Sequence, residues 1–107
     1  MIGLGGVGCG QHLPGYTLCE DAELAAFCDV NEAALAEVGD LYGVNHLYLE
    51  YDDLFAQDDI DAVSVCTYPN THHTISMAAL EAGKHVYCEK PLALNHELTR
   101  EMYEKAE

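Results

Sequence analysis

Lysine and arginine are scarce in this sequence. Only Lys84, Lys90, Arg100 and Lys105 are present in 107 residues, and none occurs before position 84. Set against 19 Asp and Glu, they leave a formal net charge of −15. Proteins that bind DNA or RNA do so by neutralising phosphates with cations, so nucleic acid is a poor partner. Anionic membrane surfaces are disfavoured for the same reason. The excess acid reads as a self-repelling, soluble surface.

Long apolar runs are missing too. None approaches the roughly 18 residues of a membrane span, and the start has no basic region of the kind that opens a signal peptide. The five cysteines, Cys9, Cys19, Cys28, Cys66 and Cys88, form no C-x-x-C pair. Their number is odd, and Cys28, Cys66 and Cys88 sit inside apolar runs. They read as reduced core thiols of a cytoplasmic protein. Cys9, close to an expected helix N-terminus, is the best-placed candidate for a reactive thiol. Beyond the adjacent His72 and His73 no spaced ligands occur, so no metal site is expected, and His73 reads as a helix-surface residue.

Half of the sequence is apolar, enough for the core of one small domain. Apolar runs alternate with helical patterns. Met1–Ile2 is a stub of strand. Residues 6–13 can begin a helix, which Pro14 and Gly15 would end. Strands are expected at 23–29, 46–51, 62–67 and 84–88. Between them the pattern predicts a helix capped by Asn31 and stopped by Gly43, a helical turn at 51–56, and a helix over about 71–82 stopped by Gly83. A last helix from about Asn95 carries Leu98 and Met102 on one face. This order predicts an α/β fold, a doubly wound parallel sheet of Rossmann type.

The chain opens MIGLGGVGCG, in which Gly3, Gly5 and Gly8 form G-x-G-x-x-G. Gly3 permits the tight turn, Gly5 lets backbone approach a pyrophosphate, and Gly8 lets helix and strand pack closely. The N–H groups of Gly5, Gly6, Val7 and Gly8 at the helix start would hold the phosphates without any basic residue. Asp29 follows Gly8 by 21 residues, near the roughly 20 expected of the acid that accepts ribose hydroxyls. Asn31 lies beside it. A carboxylate there would repel the 2′-phosphate of NADP, and no Lys or Arg is near, so NAD is favoured. Two other readings stay open. Asp29 could be a helix-capping residue, and a glycine loop with a ribose acid also serves S-adenosylmethionine in methyltransferases.

Two further stretches, DAVSVCTYPNTHH (61–73) and ALEAGKHVYCEKPLA (79–93), join IGLGGVG and FCDVN in resembling the N-terminal domain of the Gfo/Idh/MocA oxidoreductase family. The resemblance runs from Ile2 to about Leu98, and the AGKHV-x-x-EKP stretch is its most specific part. It implies a Rossmann domain that binds NAD or NADP and a separate substrate domain for a sugar, polyol or related small molecule. The reaction it implies is hydride transfer. Lys90 of EKP would then reach the active site, with Glu89 beside it and Pro91 shaping the turn. The alternative for Lys90 is a surface salt bridge with Glu89 or the last helix. The loop after the 62–67 strand, T-P-N-x-x-H in the family, would line the cofactor. Here Thr67 matches the Thr, Tyr68 stands in the Pro position, Pro69 in the Asn position, and His72 matches the His.

Strand one is two residues long, and the sixth Rossmann strand and substrate domain have no counterpart in these 107 residues. The expectation is an incomplete dinucleotide-binding domain over residues 1–107, a fragment of a longer oxidoreductase or a chain begun at an internal methionine. Homo-oligomers would form through the absent domain. A free-standing nucleotide-binding module is the alternative.

Overall fold

The sheet is joined in its middle by a single residue. In the computed structural model, which describes all of residues 1–107, Ile2 bridges in parallel to Cys28 on one side and to Val65 on the other. Its N–H donates to the Ser64 carbonyl at 2.8 Å, and its carbonyl accepts from Cys66 N–H at 2.8 Å. On the opposite side Cys28 N–H reaches the Met1 carbonyl and Gly3 N–H the Cys28 carbonyl, both at 2.9 Å. Two residues therefore suffice to hydrogen-bond both neighbours at this level.

Around that bridge lie β1 (Ala26–Cys28), β2 (His46–Tyr48), β3 (Ala62–Val65) and β4 (His85–Cys88). β1 pairs with β2 and β3 with β4, all in parallel. The order across the sheet is thus β2, β1, Ile2, β3, β4. Each strand is shorter than its apolar run, because a ladder persists only where a partner strand runs beside it. β1 spans three residues instead of the seven expected from the sequence, since its ladder with β2 covers only Ala26–Cys28.

Strand alternation sorts the core onto two faces. Ile2, Ala26, Cys28, Val63 and Val65 point to one face, where they meet Leu54, Phe55, Ile75 and Ala79. These last four come from α3 (Tyr51–Phe55) and α4 (His72–Glu81). Met1 and Phe27 point to the other face, against Leu4, Leu13, Leu35 and Val44. There α1 (Leu13–Thr17) and α2 (Glu32–Tyr42) pack. Helices on both faces of a parallel sheet are the doubly wound arrangement. Phe27 is fully buried, worth about 2–3 kcal/mol by transfer. α5 (His96–Ala106) packs on α4, with His73 and Glu101 2.9 Å apart between them.

The local signals behave as expected at most helix ends. Asn31 Oδ1 accepts from Ala34 N–H at 3.1 Å, and Asn95 Oδ1 from Leu98 N–H at 3.0 Å. Gly43 closes α2 at φ +68°. One expectation fails: Pro14 and Gly15 do not end the first helix, which continues to Thr17. Pro14 is the second residue of α1, and the turn before it, Gly8–His12, is π-helical, with Leu13 N–H bonded to the Gly8 carbonyl. The wider π turn loosens the carbonyl row a proline ring would strike.

Candidate functional site

Every loop singled out in the sequence leaves the C-terminal end of a strand, where open α/β sheets bind ligands. The glycine loop follows Ile2, Asp29 follows β1, Thr67–His72 follows β3, and Glu89–Pro91 follows β4.

Gly3 and Gly8 are sites of close packing. Gly3 has φ +89°, and a Cβ there would stand 2.7 Å from the Cys66 carbonyl oxygen; one on Gly8 would stand 2.5 Å from the Gly3 carbonyl oxygen. A Cβ on Gly5 or Gly6 would meet nothing within 4 Å. The N–H groups of Gly5, Gly6 and Val7 have no partner within the chain; the first loop-to-helix bond is Cys9 N–H to the Gly5 carbonyl at 2.9 Å. The loop is thus packed tightly at its base and open at its crest, with donors unused.

Asp29 is half-buried and braces this loop. One carboxylate oxygen accepts Leu4 N–H at 2.8 Å, and the other accepts Asn31 N–H at 2.8 Å. A carboxylate has about four acceptor sites, so room remains for hydroxyl donors. Capping of α2 falls to Asn31, which spends its Oδ1 on Ala34.

His72 is almost fully buried, and both of its ring nitrogens are engaged. Nδ1 lies 2.7 Å from the Pro91 carbonyl oxygen, and Nε2 lies 2.9 Å from that of Thr67. Both partners are acceptors, so both bonds form at once only when the ring carries both protons. The ring ties the loop after β3 to the Glu89–Pro91 turn. Thr71 Oγ1 bonds Thr67 Oγ1 at 2.7 Å. The Tyr68 side chain is exposed and free.

On the last loop, one Glu89 oxygen takes Lys90 N–H at 3.0 Å. The other lies 2.8 Å from His12 Nε2, a buried ring on the helix leading out of the glycine loop. The hydrogen bonds from His12 and Lys90 N–H hold the Glu89 carboxyl below the usual carboxylate range. The Lys90 side chain is exposed and makes neither a salt bridge with Glu89 nor one with α5.

His12 was not singled out from the sequence. Its signal is its spacing: it stands four residues after Gly8, on the helix face that Gly8 packs inward. Cys9 does not behave as an activated thiol. Burial, followed by the Asp29 and Glu37 carboxylates, raises its pKa, and its Sγ donates to the Leu4 carbonyl at 3.0 Å. No group of three or more His, Cys, Asp or Glu side chains comes together to hold a metal ion. No helix is long and apolar enough to cross a membrane. A groove of about 580 Å³ lies at the opposite ends of the strands, lined by Met1, Ala26, Asp61, Ala62 and His85. It is remote from these loops.

Comparison with known proteins agrees with this fold. Residues 1–107 match the model of the oxidoreductase family with an NAD-binding Rossmann fold, GFO_IDH_MocA. The chain is similar to myo-inositol 2-dehydrogenase of Thermotoga maritima, 41% identical over 95 residues, covering 89% of this chain and 28% of that protein. It is also similar to D-glucoside 3-dehydrogenase of Escherichia coli, 35% identical over 106 residues, covering 99% of this chain and 30% of that one. The crystal structure of a probable dehydrogenase from Thermotoga maritima superposes with a TM-score of 0.92 at 39% identity, over 98% of this chain and 31% of that one. Two structures at 27% identity, each with a TM-score of 0.92, carry different cofactors. A 3-ketoreductase of Actinomadura kijaniata holds NADP, with 98% of this chain and 32% of that one covered. An oxidoreductase of Agrobacterium radiobacter holds NAD+, with 98% and 30% covered. The chain spans about 30% of the length of these relatives. It belongs to the Gfo/Idh/MocA oxidoreductase family, as its NAD-binding Rossmann domain.

Proposed function

We propose that this chain is the cofactor half of a nicotinamide-dependent dehydrogenase acting on a sugar, polyol or related small molecule. One observation carries the reading: the unpartnered N–H groups of Gly5, Gly6 and Val7 sit at an open crest, with the Asp29 carboxylate fixed to the same loop through Leu4. Open space and free donors suit a pyrophosphate at a helix start. A bound nicotinamide dinucleotide supplies the hydride acceptor or donor.

The chain's own residues then divide the work. Gly5, Gly6, Val7 and Gly8 hold phosphate oxygens, and the remaining acceptor sites of Asp29 take ribose hydroxyls, with Asn31 beside it. The absence of Lys or Arg before position 84 and the Asp29 charge favour NAD over NADP, whose 2′-phosphate needs a cation. Thr67 and Tyr68 border the nicotinamide side. Glu89 and His72, already engaged within the chain, serve as supports for their loops. Lys90 is the catalytic candidate: its exposed ammonium can stabilise negative charge developing on a substrate hydroxyl. A free-standing binding module would have no use for that lysine. Homologues' substrates, an inositol and a glucoside by name, support the polyol class.

The test is calorimetric titration of the folded chain with NAD, NADP and S-adenosylmethionine in turn. NAD is expected to bind, weakly and ahead of the other two, with no turnover by these 107 residues alone. Preference for S-adenosylmethionine, or no binding by a chain shown to be folded, would sink the reading.

A further inference from the structure

Two loops that the cofactor reading uses separately are joined by one part-buried pair. His12 ends the π-helical turn Gly8–His12, an irregularity frequent at functional sites. Its side chain is 6% exposed, and its Nε2 lies 2.8 Å from Glu89 Oε1, whose side chain is 20% exposed. The ring is held from two sides, by Tyr87 of β4 at 5.2 Å and by Tyr16 of α1 at 6.5 Å. The same carboxylate's other oxygen takes Lys90 N–H. Beyond Lys90, the Pro91 carbonyl is held by His72. Glu89–Pro91 is therefore gripped at both ends by histidines from different elements, while the Lys90 side chain between them stays unbound.

We infer that His12 is a positioning residue: through Glu89 it fixes the turn that carries Lys90 to the helix of the glycine loop, so that the phosphate cradle and the lysine are built as one unit. This rests on the cofactor reading for its purpose, but not for its geometry. A hydrogen bond between a buried ring and a carboxylate is charge-assisted and stronger than a neutral one. Removing either partner leaves the other's polar atom stranded. The titratable groups that face Glu89 are His12, Lys90, Cys66 and Cys88. Of these, only His12 and the Lys90 backbone bond its carboxylate.

The experiment is NMR titration of the full chain as wild type, His12→Phe and His12→Gln, following the Glu89 carboxyl carbon and the Lys90 amide, with NAD affinity measured alongside. In His12→Phe the Glu89 midpoint is expected to rise toward the ordinary glutamate range and the Lys90 amide to shift. NAD binding is expected to weaken about tenfold. His12→Gln, whose amide can still donate, is expected to restore all three. Space-filling alone predicts otherwise: Phe would leave the Glu89 midpoint and the Lys90 amide where they were, which would overturn the inference. If His12→Phe does not fold, Glu89→Gln decides, since the His12 ring nitrogens must then shift. Unmoved ring nitrogens would overturn it as well. Failure of the wild-type chain to bind NAD would count against the cofactor reading alone, because the Glu89 and Lys90 signals report on His12 without it.

Discussion

Asp29 Oδ2 accepts the backbone N–H of Leu4 at 2.8 Å, so the acid that ends β1 and the glycine loop are one hydrogen-bonded object. In Asp29→Ala the buried Leu4 donor and the exposed Asn31 donor both lose a charged acceptor. The expected result is a stability loss of about 1–3 kcal/mol and at least about a tenfold weakening of NAD binding. Asp29→Asn, which keeps one acceptor oxygen, should fall between. Urea unfolding and calorimetric titration measure the two effects separately.

The glycines separate into structural and ligand-facing positions. Gly3→Ala places a Cβ 2.7 Å from the Cys66 carbonyl at φ +89°. The conformation alone costs about 1–2 kcal/mol, and the clash adds to it. Gly5→Ala meets nothing within 4 Å, so the melting temperature should hardly move. The added methyl nonetheless occupies the crest where a pyrophosphate would lie, and NAD binding should be lost. Thermal melts with parallel titrations distinguish the pair. A destabilised Gly5→Ala would contradict the open crest.

Thiol reactivity should follow burial. Desolvation is the main cause that pushes Cys28 up to about 11 and Cys66 up to about 12, so neither supplies much thiolate at pH 8. Cys19 is the exposed thiol. Alkylation with iodoacetamide, followed by mass spectrometry, should label Cys19 first, leaving Cys28 and Cys66 to be labelled only as the chain unfolds.

His72→Phe should strand the Thr67 and Pro91 carbonyls, which the ring now bridges. A loss of about 1–3 kcal/mol is expected for each unsatisfied acceptor that stays buried. His72→Gln should recover part of it. Equal stability of His72→Phe and wild type would show that the bridge adds nothing.

The features legible in the sequence are those set by near neighbours along the chain. Gly43 and Gly83 stop helices because φ values of +68° and +75° are open to glycine. Asn31 caps α2 because its side chain reaches an N–H three residues on. The alternation of apolar runs with helical patterns determines a parallel, doubly wound sheet, and G-x-G-x-x-G and Asp29 are legible as loops at the C-terminal ends of its strands. Strand lengths were less legible, because β1 ends where its partners end and not where its apolar residues do. Passage of the first helix through Pro14 was hidden as well, since it depends on a π-helical turn.

What only the tertiary structure decided is which polar groups meet across long separations. His12 and Glu89 are 77 residues apart, and His72 and Pro91 are 19 apart. No periodicity or spacing pairs them. A turn or a cap is a property of a few consecutive backbone angles, whereas a buried polar pair exists only once packing has excluded water from both partners and left each the other as its hydrogen-bond partner.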